Sequence, residues 1–138
     1  MSAQEHEYLC HVRFSDVDVY GHVNNVKYFE YYQEARIDFL HVMGEPDQPH
    51  LATVVARIDV DYKRPILFRP EPYVVATWVS RVGTSSYALD SEIRDGSGSE
   101  DGGTVLSRAS AVLVAYDLST QQSRPLTAGE RDFLTRRR

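Results

Sequence analysis

A chain of 138 residues is long enough for one core and short for two, so a single domain over residues 1–138 is expected. Hydrophobic residues at 42 % and charged residues at 25 % exclude a disordered composition, and a net charge of −5 argues against nucleic acid as a partner. The lone cysteine, Cys10, excludes an internal disulfide and fits a reducing cytoplasm.

The first twelve residues, "MSAQEHEYLCHV", are acidic and carry no apolar stretch of signal-peptide length. No run in the chain nears the ~18 apolar residues of a membrane span, so a cytoplasmic protein without a membrane partner is expected. Residues 8–15, "YLCHVRFS", mix large apolar and polar side chains at short range and read as a strand. Cys10 and His11 point to opposite faces of such a strand and make a poor metal chelate. A polar break follows, through Gly21.

From Asn25 to Met43 the pattern predicts one long helix. At about 100° per residue, Tyr28, Phe29, Tyr31, Tyr32, Ala35, Phe39, Leu40, Val42 and Met43 fall in one arc about half the circumference wide. Lys27, Glu30, Glu34, Asp38 and His41 gather opposite. So broad an apolar arc requires something to wrap around it. Arg36 lies inside the arc, where its charge should be met by a carboxylate or backbone carbonyls. Gly44 and Pro46 supply a stop.

The remainder reads mostly as strand. "ATVVARIDVDYKRP" alternates Ala56, Ile58, Val60 and Tyr62 against Arg57, Asp59, Asp61 and Lys63. "PYVVATWVSRV" follows a proline-rich turn, then "SSYALDSEIR" follows Gly83. After the flexible connection "DGSGSEDGG" comes "TVLSRASAVLVAYD", the longest and most apolar strand and hence expected to be central. Thr127 can cap a short helix over 128–136. Three successive hairpin links make a mostly antiparallel sheet, and one broad apolar helix against it defines an α+β fold whose sheet curls round the helix.

The polar cluster at 16–25 sits at the mouth of the long helix. Backbone N–H groups there have no intrahelical acceptor and carry the positive end of the helix dipole, which suits an oxyanion forming on a carbonyl. Asp18, seven residues before Asn25, can return to the same place. A carboxylate beside an oxyanion site is a workable hydrolytic pair. On residues alone, Asp16 and Asp18 are equally turn acids, Asn24 a helix cap and His22 a hydrogen-bonded structural group. No serine-nucleophile, phosphate-loop or zinc motif is present.

The segment "SDVDVYGHVNNVKYFEYYQEAR" resembles the signature of the 4-hydroxybenzoyl-CoA thioesterase-like family of hotdog-fold acyl-CoA thioesterases. The segment "VDYKRPILFRPEPYVVATWV" is similar to that family's next strand pair, and the resemblance covers about residues 8–117. It implies the hotdog fold: a long central helix wrapped by a curved antiparallel five-stranded β-sheet. It implies hydrolysis of an acyl-CoA thioester to free acid and CoA, with Asp18 as general base or nucleophile. By the same match the backbone N–H of Asn25 polarises the carbonyl, while His22 and Asn24 correspond to polar positions that differ among relatives. His22 is taken with Asp18 and Asn25 as the candidate catalytic set.

Tyr20, Gly21, Asn24 and Tyr28 are expected to contact the substrate. The resemblance implies no metal or organic cofactor, and it implies a homodimer or homotetramer joined edge to edge through its sheets. The Asp18–His22 spacing also resembles plant acyl-ACP thioesterases, although those carry asparagine where Tyr20 stands here. The family's Phe-Gly-Asp after the proline is "FRPEP" in this chain. Hydratase chemistry and non-catalytic acyl-CoA binding are the other readings. Lys63, Arg64, Arg69 and Arg136 to Arg138 are candidate contacts for the CoA phosphates.

Overall fold

The computed structural model describes residues 5–43, 47–96 and 103–138. Its elements are β1 (His6–Cys10), α1 (Asn25–Met43), β2 (Leu51–Tyr62), β3 (Tyr73–Val82), β4 (Ser86–Arg94), β5 (Val105–Asp117), β6 (Gln122–Ser123) and α2 (Ala128–Arg136). The sheet runs β1-β3-β4-β5-β2, every pair antiparallel, with the two-residue β6 added to the end of β5. The five long strands match the expected sheet, and β6 is a short sixth. β5 is the longest strand and lies inside the sheet, while β4 holds the middle position.

Two local expectations change. The first strand stops at Cys10 because its partner β3 begins opposite, at Tyr73, and nothing remains to pair with residues 11–15. Phe14–Asp16 instead form one 3₁₀ turn. Of the three expected hairpin links, only β3–β4 and β4–β5 join neighbouring strands. Residues 63–72 carry the chain from β2, at one side of the sheet, to β3, next to the other. The expected stop at Gly44 and Pro46 lies outside the described residues, as does most of the 95–103 connection.

α1 packs on the sheet through Tyr28, Tyr31, Tyr32, Ala35, Phe39 and Met43, all buried. Tyr28 to Ala35 meet Tyr73, Val75, Ile93 and Ile66, and Cys10 is buried among them. Phe39 and Met43 meet Val79, Leu89, Leu113 and Leu134 of α2. Phe29 and Val42 belong to the predicted arc but are exposed, so the buried stripe is narrower than the sequence implies. Arg36 departs from expectation as well. Its guanidinium has no hydrogen bond or ion pair with any described residue, and burial, with little relief from nearby groups, holds its pKa below the ordinary value.

The cap on α2 is as the sequence predicts. Thr127 Oγ1 accepts the Glu130 N–H at 3.0 Å, and the Glu130 carboxylate accepts the Thr127 N–H at 2.9 Å. The same carboxylate takes a bidentate pair from Arg124 at 2.8 and 3.0 Å, with both side chains largely out of water. Arg124 also donates to the carbonyls of Tyr116 and Ala52, which ties α2 to the sheet. Arg124→Met leaves the buried Glu130 carboxylate without its cation. It is expected to cost about 3–5 kcal/mol, read as a lower denaturant midpoint beside wild type.

Candidate active site

The loop between β1 and α1 is organised by two acids with different tasks. Asp16 has no solvent contact. Its Oδ2 accepts the Tyr31 hydroxyl at 2.6 Å and the Arg13 backbone N–H at 3.0 Å, and Arg13 Nη2 lies 3.3 Å from its Oδ1. Burial alone would raise this carboxyl, but the hydrogen bonds from Tyr31 and Arg13 outweigh burial and hold it below the usual range. Burial, together with the Asp16 contact, pushes the Tyr31 phenol well up. The Asp16 carbonyl also accepts the Asn24 N–H at 2.9 Å, so the loop is closed at both ends.

Within that closed loop Asp18 makes a tighter turn. Its Oδ1 accepts the backbone N–H groups of Tyr20 at 2.9 Å and His22 at 3.2 Å. Its own N–H donates to the His22 carbonyl at 2.8 Å, and the Gly21 N–H donates to the Asp18 carbonyl at 3.0 Å. Gly21 has φ +77°, a value that favours glycine. Asp18 Oδ2 has no hydrogen-bond partner among the described residues. The carboxylate is therefore oriented through one oxygen and open at the other.

Asp18, His22, Asn25 and Tyr28 line one cleft of about 330 Å³. The other wall comes from the end of β2 and the crossover: Tyr62, Lys63, Arg64 and Pro65. The crossover is held under the start of α1 by the Val23 N–H, which donates to the Ile66 carbonyl at 2.8 Å, and by a bridge between His22 and Leu67. The Asn25 N–H, first of the helix, has no acceptor among the described residues. The expected site residues are thus only partly brought together. Tyr20, 80 % exposed, and Gly21 and Asn24 belong to the loop but do not line the cleft.

Tyr62 is a participant that strand periodicity passed over. Its hydroxyl donates to the Asn25 carbonyl at 3.0 Å, and its ring meets Tyr28 edge-on at 4.8 Å. The signal was present in "VDYKRP", directly before the two cleft cations. Arg69, by contrast, is committed elsewhere. It pairs with Asp95 at 3.0 Å and stacks over Tyr73. Arg136 pairs with Asp132, and Arg137 stacks on Phe133 of α2. α2 packs at the Met43 end of α1, about 27 Å along the helix from Asn25. Lys63 and Arg64 alone of these cations reach the cleft.

The profile of the thioesterase-like superfamily matches residues 12–133, and the chain belongs to that family. It is 30 % identical over 126 residues to the long-chain acyl-CoA thioesterase FadM of Escherichia coli, covering 89 % of this chain and 92 % of that one. An uncharacterized Bacillus subtilis protein, YsmA, is 41 % identical over 81 residues, and this match spans only 53 % of YsmA and 56 % of this chain.

A predicted thioesterase from Bacillus stearothermophilus superposes with a TM-score of 0.84 over 96 % of each chain at 22 % identity, which shows the shared fold. A Thermus thermophilus thioesterase, solved with coenzyme A and Zn, superposes at 0.76 with 29 % identity, covering 95 % of this chain and 92 % of that one. The fold is the hotdog fold, and the protein is a thioester hydrolase. No helix among the described residues is long and apolar enough to cross a membrane.

The Asp16 network yields a stability test. Asp16→Asn replaces a buried acceptor of three donors with an amide and should cost about 1–3 kcal/mol at neutral pH. Because the folded carboxyl titrates below its unfolded value, its stabilisation is complete above about pH 3.9 and fades as the pH falls through the lower folded value. Thermal midpoints of variant and wild type should therefore differ by a constant amount from pH 7 to about 4 and converge below it.

Proposed function

We propose that this protein, a single hotdog domain over residues 1–138, hydrolyses acyl-CoA thioesters, with Asp18 as the reacting carboxylate. One observation carries the reading: Asp18, with one oxygen unbonded, and Asn25, whose N–H has no acceptor among the described residues, line the same cleft. In the water route, Asp18 Oδ2 takes a proton from water as the water oxygen attacks the thioester carbon. The carbonyl oxygen, gaining charge, is met by the Asn25 N–H at the positive end of the helix. The C–S bond then breaks, and the CoA sulfur leaves with a proton. In the nucleophile route Asp18 forms an anhydride that water opens, with the same products.

His22 and Tyr28 line the same cleft, which supports a role in orienting water or acyl group. Lys63 and Arg64 line its other wall, which supports contact with phosphate oxygens. The coenzyme A in the Thermus thermophilus relative and the name of the Escherichia coli relative support an acyl-CoA rather than an acyl carrier protein substrate. The lone Cys10 supports a reducing, cytoplasmic setting. The open sides of the sheet, at β1 and β2, support a homodimer or homotetramer joined edge to edge.

Asp18→Asn tests the chemistry with little structural disturbance, because the amide oxygen can still accept the Tyr20 and His22 N–H groups. Turnover on the best acyl-CoA, assayed as thiol release, should fall by about 10²–10⁴ while substrate binding changes little. Near wild-type turnover by the folded variant would move the chemistry away from Asp18.

A further inference from the structure

The end of β2 is tied to α1 at two points, and only one of them is buried. At the buried tie the Tyr32 hydroxyl donates to Ser107 Oγ at 2.7 Å, and the Ser107 hydroxyl donates to the Asp61 carbonyl at 2.8 Å. At the other, in the cleft, the Tyr62 hydroxyl donates to the Asn25 carbonyl at 3.0 Å. Tyr32 and Asn25 stand about two turns apart on the helix, so the last two residues of β2 are held against a length of α1. Lys63 and Arg64 come next, and their backbone N–H groups both donate to the Leu106 carbonyl at 3.0 Å. Hydrogen bonding thus runs without a break from Asp61 to the two cleft cations.

Asn25 gives this circuit its importance. One residue carries both the N–H without an acceptor among the described residues and the carbonyl that Tyr62 holds. The clamp therefore sets the place of that N–H relative to Lys63 and Arg64. Asp18 is placed by other means. Its own turn and the bond from the Asn24 N–H to the Asp16 carbonyl do not involve Tyr62. Tyr62 is 46 % exposed and its ring meets Tyr28 edge-on, so losing the hydroxyl alone leaves the packing in place. A hydrogen bond so open to water adds little to global stability.

We propose that Tyr62 is a positioning residue that fixes the spacing between the Asn25 N–H and the Lys63–Arg64 wall, so that phosphate binding aligns the thioester carbonyl. The inference rests on the acyl-CoA reading above and adds how the remote phosphates raise turnover. Binding energy from a distant part of a substrate speeds the reaction only where the two sites are held in register. Without the Tyr62 hydroxyl the phosphates still bind, but the carbonyl is delivered out of register.

The test places one acyl group on two carriers: coenzyme A, and N-acetylcysteamine, which forms the same thioester and has no phosphates. Wild type should turn over the coenzyme A thioester at least about tenfold faster in kcat. Tyr62→Phe should cut that ratio at least about fivefold, while KM for the coenzyme A thioester stays within about threefold of wild type. With Lys63→Ala and Arg64→Ala already in place, adding Tyr62→Phe should change the ratio by less than about twofold, since no remote anchor is left. A hydroxyl that merely braced the fold would lower turnover on both carriers alike. A smaller cut by Tyr62→Phe overturns the coupling, as does a wild type that turns over both carriers equally. Asp18→Asn keeps the two readings apart, because it should lower both carriers together. Its failure would leave the Tyr62 ratio standing, and an unchanged ratio would leave the Asp18 loss standing.

Discussion

A carboxylate shut away from water governs the geometry of the loop that leads into α1 and its cleft. Asp16 could not stay ionised there without the Tyr31 hydroxyl and the Arg13 groups around it. Tyr31 is two turns into α1 and Arg13 comes just after β1, so one side chain joins the sheet, the loop and the helix. Its backbone carbonyl then fixes Asn24, the residue before the helix starts. The Asp18 turn is suspended between these two attachments. The Asp18 carboxylate inherits its position from a neighbour that does not line the cleft.

The crossover supplies the opposite wall. A hairpin between β2 and β3 would have kept residues 63–72 at one side of the sheet. Because β2 pairs with β5 instead, the chain must travel past the start of α1 to reach β3, and it carries Lys63, Arg64 and Pro65 into the cleft. The hydrogen bond from Val23 to Ile66 fixes that passage. Tyr62, at the last position of β2, closes the arrangement by holding the Asn25 carbonyl. Topology and site are in this sense one feature, since the strand order that leaves β2 at the rim also brings its end to the helix mouth.

What the sequence disclosed was local in origin. The bounds of α1 and the cap at Thr127 each depend on neighbours within a few residues, and each appears in the structure as read. Of the alternation through 56–63 only Ile58 and Val60 are partly buried, while Ala56 falls at an irregularity and Tyr62, the last strand residue, is exposed. The pairing of β2 with β5 depends on segments some fifty residues apart and leaves no periodic trace. Asp16 and Asp18 are equivalent to a pattern argument; which of them is buried depends on Tyr31, fifteen residues away. Phe29, Val42 and Arg36 share the apolar arc by angle, yet burial follows where the sheet ends, which the angle does not encode. The motif resemblance was legible because it packs loop, glycine turn and helix start into 22 consecutive residues.

Cys10 carries a further consequence for an enzyme of this class. Burial, reinforced by the nearby Asp16 charge, pushes its thiol up to about 12. At neutral pH only about 10⁻⁵ of it is thiolate, the form that attacks thioesters and disulfides. A protein that handles activated acyl groups and liberates thiols is thereby insulated from both. It should resist acylation by its own substrate and mixed-disulfide formation with its own product. A thiol reagent added to a running reaction should count the released thiol and leave the folded enzyme unmarked.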